Sequence, residues 1–235
     1  MKRDYSISVA MATYNGEKYI KEQLDTILNQ LYEKDEIIIS DDGSKDNTLE
    51  IIKNYEDQRI KLFEGPHKGV KQNFANAIKN CNGRYIFLAD QDDIWVKNKI
   101  EEVLKTFEKN KCMCVVHDCI IVNGDNTKII QKSFFEYRKS RAGIISNIWK
   151  NKYIGCCMAF DSSMKKYILP IPNDIEMHDQ WIGIICEMHG NSIFLNEKLI
   201  NYRRHEDNVS SLKHYGIFKM VKNRIKLIKE LEKRK

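Results

Sequence analysis

The chain has 235 residues, 42% of them hydrophobic and 10% aromatic, which suits one α/β domain with a real core and excludes an intrinsically disordered protein. A net charge of +6 would suggest a nucleic-acid partner, but nine Lys/Arg against two Glu fall between Lys213 and Lys235. The rest is close to neutral, which argues against a nucleic-acid enzyme and sets the basic end apart as a tail suited to a membrane surface, with a partner-binding helix or a merely solvated end as alternatives.

The apolar run of MKRDYSISVAMATYNG is broken by Ser6, Ser8 and Thr13, so no leader is expected. No window reaches the ~18 apolar residues of a membrane span. A cytoplasmic protein is expected, peripheral at the cytoplasmic membrane face if the tail binds there. Its seven cysteines form no CxxC pair and read as buried free thiols, not zinc ligands or disulfides.

In chain order, Ile7 to Thr13 reads as a strand, and Tyr14-Asn15-Gly16 as a turn into a helix carrying Tyr19, Ile20, Leu24, Ile27, Leu28 and Leu31. Glu36 to Ser40, with three consecutive isoleucines, reads as a buried parallel strand ending in Asp41-Asp42-Gly43-Ser44. Ser44 or Asp46 is placed to cap a helix with Leu49, Ile51, Ile52 and Tyr55. Arg59 to Glu64, a Gly65-Pro66 turn, and Val70, Phe74, Ala77 and Ile78 make a third strand and helix, and Arg84 to Ala89 a fourth strand.

This alternation predicts a Rossmann-like, mostly parallel sheet flanked by helices, with ligands at the carboxyl ends of its strands. Thr13-Tyr14-Asn15, Asp41-Asp42 and Asp90-Gln91-Asp92-Asp93 each follow a strand, so all three are expected on one rim. Further strands are predicted at Met113 to Val122, Tyr153 to Phe160 and Ser192 to Leu195. Helices are predicted near Lys97 to Phe107 and Asp179 to His189. The tail reads as a helix with Ile217, Val221, Ile225, Ile228 and Leu231 opposite its lysines.

Asp90, Asp92 and Asp93 place three carboxylates within four residues. Like charges so close repel unless a cation neutralises them, and hard oxygen donors select Mg²⁺ or Mn²⁺. An acidic turn capping the next helix is the plainer alternative. Asp41-Asp42 would accept hydrogen bonds from a base or ribose, or would simply cap a helix. GxGxxG and GxxxxGK[ST] are absent, which disfavours dinucleotide oxidoreductases and P-loop kinases.

Taken in order, SVAMATYNGEKYI, IIISDDGSKDNT and YIFLADQDDIW resemble the nucleotide-binding half of family 2 glycosyltransferases, which have a GT-A fold and transfer sugars with inversion. The resemblance covers roughly residues 5 to 210. It implies that the Thr13-Tyr14-Asn15 segment and the Asp41-Asp42 turn hold the nucleoside. Asp90, with Gln91 beside it, would meet the ribose, and Asp92 the metal.

Glu176-Met177-His178-Asp179-Gln180-Trp181 looks like the family's acceptor-side motif, which makes Asp179 the expected general base. Within Tyr202-Arg203-Arg204-His205, the likeness assigns the arginines to the diphosphate and His205 to the metal. By the same analogy Gly155 would lie under the donor sugar, although Cys156 and Cys157 beside it fit packing equally well.

The implied donor is a nucleoside-diphosphate sugar and the implied acceptor a hydroxyl of a glycan or lipid-linked saccharide. The rhamnosyltransferase-like branch is the most similar, pointing to dTDP-L-rhamnose, with UDP-hexoses and UDP-N-acetylhexosamines as alternatives. The QxxRW signature and membrane spans of processive relatives are missing, so single addition is expected. The resulting division is a GT-A domain over 1–211, with a nucleotide half (1–95) and an acceptor half (96–211), then a basic helical tail over 212–235; a homodimer is left open. The rival readings are a nucleotidyltransferase, which would need a Gly-rich basic loop after the first strand, and a non-catalytic nucleotide-sugar-binding subunit, which would be expected to have lost the base or a metal carboxylate.

Overall fold

The structure is a computed structural model that describes residues 3–206 and 217–234, the side chains of 217 and 218 excepted. The expected division between domain and tail at 211–212 therefore lies outside the described residues. The first half alternates β1 (Ile7–Thr13), α1 (Ile20–Leu28), β2 (Glu36–Asp41), α2 (Thr48–Lys53), β3 (Ile60–Glu64), α3 (Val70–Asn80) and β4 (Tyr85–Asp90). There follow β5 (Ile94–Trp95), α4 (Lys99–Asn110), β6 (Cys114–Asn123), β7 (Ile129–Gln131), α5 (Phe134–Arg138) and α6 (Ile144–Trp149). The remaining elements are β8 (Met158–Asp161), α7 (Lys165–Ile168), α8 (His178–Met188), β9 (Ser192–Arg204) and α9 (Ile217–Glu232).

Among the described residues, one nine-stranded sheet runs β3-β2-β1-β4-β8-β6-β9-β5, with β7 paired to β6. β1 to β4, β6 and β9 point the same way, while β5, β7 and β8 oppose them. Every residue of β2 is buried, because an apolar strand in the middle of a covered parallel sheet has no wet face. Among the described residues, no helix is long and apolar enough to cross a membrane.

β4 is set against β1 by Gly83. Its amide donates to Ser8 Oγ at 2.7 Å, and a Cβ there would stand 2.4 Å from the backbone of Ile7 and Ser8. That neighbour is backbone and cannot swing aside. Gly83→Ala is expected to cost about 2–3 kcal/mol, read as a lower urea midpoint at unchanged m-value.

The short elements β5, β7, α5, α6 and α7 have no counterpart in the sequence prediction, α1 and α2 stop short of Leu31 and Tyr55, and three predicted elements differ in ways that matter below. The strand expected from Tyr153 begins only at Met158, because Gly155–Cys157 forms a 3₁₀ turn with the Cys157 amide on the Ile154 carbonyl at 3.0 Å. The strand expected to stop at Leu195 continues to Arg204, since pairing with β6 holds a polar, charged stretch that local pattern reads as loop. In α9, Leu231 does not share the face of Val221, Ile225 and Ile228: with Leu227 it is buried against the body, and the other three are exposed.

Candidate active site

The carboxyl ends of β1, β2 and β4 form the rim, and the three loops leaving them are tied to one another. Thr13 Oγ1 donates to Asp41 Oδ2 at 2.9 Å, and Asp41 also accepts from the Gly43 amide and from the amide and hydroxyl of Ser44. Asp41 is thus buried and spent on shaping the turn. Asp42, half-buried, reaches the loop before α3 and accepts from the Gly69 amide at 2.7 Å. The Asn15 amide donates to Ser44 Oγ, and its side-chain oxygen accepts from the Lys45 amide, both at 2.8 Å. Gln91 clamps Tyr14 by both backbone groups, accepting from its amide at 2.9 Å and donating to its carbonyl at 3.0 Å. Neither predicted cap holds the N-cap position of α2, which falls to Asn47 without a side-chain bond; Asp46 just before it accepts from the amide and hydroxyl of Thr48, and Ser44 serves the rim.

The acidic turn after β4 is completed from the far end of the chain. β5, only two residues long, pairs Ile94 with Asn201 and Trp95 with Ile200, which brings the end of β9 over the carboxylates. His205 Nε2 then sits 2.7 Å from Asp92 Oδ2, its ring packed on Tyr19. Asp93 Oδ1 accepts the Arg203 amide at 3.1 Å, and its buried Oδ2 has no hydrogen-bond partner among the described residues. Burial, then Asp92 and Asp179, push Asp90 up to about 7. Burial, then Asp92 and Asp90, push Asp93 well above the usual carboxylate range.

The two arginines lie differently from the carboxylates. The Arg203 guanidinium is committed to Glu22 on α1 and to the Gly124 carbonyl, above the Tyr19 ring, while its backbone amide meets the acidic turn. Arg204 is half-buried and reaches the Tyr202 hydroxyl at 3.5 Å.

Asp179 opens α8 and is buried. Its Oδ1 accepts from its neighbour's amide, that of Gln180, at 2.6 Å and from Asn151 Nδ2 at 3.0 Å. Burial raises it to about 6 against the lowering effect of those two hydrogen bonds. The helix-start position that would favour a negative charge is therefore outweighed by desolvation. A Cβ on Gly155 would meet His178 Nε2 at 2.9 Å and Asp179 Cβ at 3.7 Å, so the bare glycine lets the 155–157 turn close on the start of α8.

A divalent cation fits these residues. Three carboxylates, one with a buried oxygen that lacks a partner, and an imidazole are the oxygen and nitrogen donors that Mn²⁺ or Mg²⁺ accepts. Asp90, Asp93 and Cys156 also bring one ligand atom each within 4.8 Å of one another. Burial holds the Cys156 thiol protonated, and a neutral thiol suits hydrogen bonding to these acids better than ligation of a hard cation.

Sequence reasoning passed over Lys99, read only as part of a helix. It is wholly buried, donates to the Cys156 carbonyl at 2.8 Å, and lies 3.8 Å from the Trp95 ring centroid. Burial draws it down to about 8, opposed by Cys157, Cys156 and Asp93, and it in turn lowers Asp90. His178 was equally unmarked: it is buried on Phe74, with burial and then Lys71 drawing it down to about 3. Only spacing toward the acidic motifs would have drawn attention to either.

The family model for Glycosyl transferase family 2 matches residues 8–203. The UDP-Glc:alpha-D-GlcNAc-diphosphoundecaprenol beta-1,3-glucosyltransferase WfgD of Escherichia coli is 28% identical over 89% of this chain and 81% of its own. The dTDP-rhamnosyl transferase RfbG of Shigella flexneri is 31% identical over 84% of this chain and 72% of its own. In fold the chain is similar to S. aureus TarS 1-349, solved in complex with UDP-GlcNAc, with a TM-score of 0.76 at 19% identity. It is also similar to the mannosyltransferase PcManGT of Pyrobaculum calidifontis, solved with GDP-Man and Mn2+, with a TM-score of 0.68 at 18% identity. The alignments cover 96% and 88% of this chain but only 66% and 59% of those two. A sheet whose acidic strand ends gather on one rim, matched across nearly its whole length by the family pattern, makes this chain an enzyme of glycosyl transferase family 2.

Proposed function

We propose that the enzyme moves one sugar from a nucleoside-diphosphate sugar to a hydroxyl of a glycan or lipid-linked acceptor, with inversion, in the synthesis of a bacterial surface polysaccharide. The observation that carries this reading is the buried Asp179, raised to about 6 and close enough to Asp90 to raise that carboxylate as well. In one displacement the acceptor oxygen attacks the anomeric carbon, its proton passes to Asp179, and the bond from that carbon to the phosphate oxygen breaks. Asn151 and the Gln180 amide keep the receiving carboxylate in place.

On the donor side, Thr13, Tyr14, Asn15, Asp41 and Asp42 frame the nucleoside, and Asp90 with Gln91 the ribose. Gly155 backs the sugar. Asp92 and His205 would hold Mn²⁺ or Mg²⁺, which when bound neutralises charge on the departing diphosphate. Of the two arginines read as meeting the diphosphate, Arg204 is the one we assign there, because the Arg203 guanidinium is occupied by Glu22.

The donor is read as dTDP-L-rhamnose on the likeness to the dTDP-rhamnosyl transferase, against a UDP-hexose on the likeness to the glucosyltransferase. Titration calorimetry with dTDP, UDP and GDP, each with and without Mn²⁺, separates them. Manganese-dependent binding that favours dTDP is expected. A preference for UDP would keep the class and change the donor, and binding of none of the three would overturn the proposed donor chemistry.

A further inference from the structure

Around α9, at about 100° per residue, the side chains sort into three faces. Leu227 and Leu231 are buried against the body; Val221, Ile225 and Ile228 form an exposed stripe; Lys222 and Lys229 stand exposed on the stripe's far side. Glu232 closes the stripe at its C-terminal end. Between stripe and body lies Arg224, whose Nε and Nη2 donate to the Trp149 carbonyl at 3.1 and 2.8 Å. The end of α6 therefore adjoins the stripe, and α6 adds two large apolar side chains one turn apart, Ile145 at 85% and Trp149 at 68% exposure. Lys150 follows, also exposed.

The geometry points to this α6–α9 ledge as a docking surface for an anionic lipid bilayer. The charge pattern selects that occupant. A tryptophan and branched aliphatics flanked by lysines match the boundary between acyl chains and negatively charged headgroups. The ledge is also built into the body: Arg224 and Asn223 both reach Glu176, at 3.6 and 3.3 Å.

Those fastenings lead to the base. Trp149 lies two residues before Asn151, the hydrogen-bond donor to Asp179, and Gln180 Nε2 donates to the Asn147 carbonyl inside α6 at 2.7 Å. A protein seated by this ledge would hold its acceptor side close to the lipid headgroups. This purpose rests on the glycosyl-transfer reading, whereas the surface itself does not.

The test is flotation of the full chain with vesicles of phosphatidylglycerol and phosphatidylcholine in equal parts, against phosphatidylcholine alone. Binding only to the anionic vesicles is expected, weakened roughly tenfold by Trp149→Asp with Ile225→Asp and by Lys222→Glu with Lys229→Glu. Ile130→Asp, on the exposed edge of β7, is expected to bind as the unaltered chain does. No flotation, equal flotation with neutral vesicles, or equal loss in Ile130→Asp would overturn the proposal. Calorimetry with nucleotide and Mn²⁺ on the same variants keeps the two readings apart: nucleotide binding without flotation sinks the ledge alone, and flotation without nucleotide binding sinks the glycosyl-transfer reading alone.

Discussion

Asp179→Asn is expected to lower transfer about 10³-fold while donor binding persists, because the asparagine keeps the shape of the site and cannot take the acceptor proton. Initial rates at saturating donor, paired with calorimetry on the same preparation, test this. Full activity in the variant would remove Asp179 from the mechanism.

The pH dependence gives an independent reading. The proposed mechanism needs Asp179 ionised, so kcat/KM should fall about tenfold per unit below a midpoint near pH 6 and level off above it. An ordinary aspartate would place that limb near pH 4. Burial is the main cause of the rise, with Glu176 adding to it; the Asn151 and Gln180 hydrogen bonds work the other way. Asn151→Ala should therefore move the limb to higher pH.

The same residue carries a stability consequence of definite sign. A carboxyl whose folded pKa is raised binds its proton more tightly in the folded chain than in the unfolded one. Its ionisation therefore destabilises the fold as pH rises through 4 to 6. Asp179→Asn removes that penalty and is expected to gain about 2 kcal/mol at pH 7, seen as a higher Tm. A variant that is more stable, inactive and still binds donor is difficult to explain unless the carboxylate serves the reaction.

What the sequence disclosed depended on how local the signal was. Three isoleucines before Asp41-Asp42, and a solid apolar run before Asp90, announce buried parallel strands, and the rim follows because acid directly succeeds each run. The partnership of Asp92 with His205 spans 113 residues and depends on the two-residue strand β5, which no periodicity reveals. On the page of letters, His205 came only through likeness to a family. Arg203 shows the opposite limit: its place in the motif said nothing of Glu22, which holds its guanidinium from the first helix. Lys99 was illegible because a lysine within a helical run normally points to water, and only the packed structure shows it inside.

Asp92→Ala is expected to abolish the response of donor binding to Mn²⁺, with affinity in the presence of the ion falling at least about tenfold to the value seen without it. Among the described residues the structure offers two acidic groupings, and the experiment separates them. In one, Asp92 and His205 face each other at 2.7 Å; in the other, Asp90 and Asp93 gather about the Cys156 thiol. A thiol kept protonated by burial is a poor ligand for a hard cation, so Cys156→Ser should keep the full manganese response. His205→Ala should weaken that response without changing metal-free binding. Direct titration of Mn²⁺ by electron paramagnetic resonance, which counts free ion without any sugar or acceptor, reads the same division. Unchanged ion binding in Asp92→Ala together with its loss in Cys156→Ser would move the metal to the deeper group and leave Asp92 as the partner that orients His205.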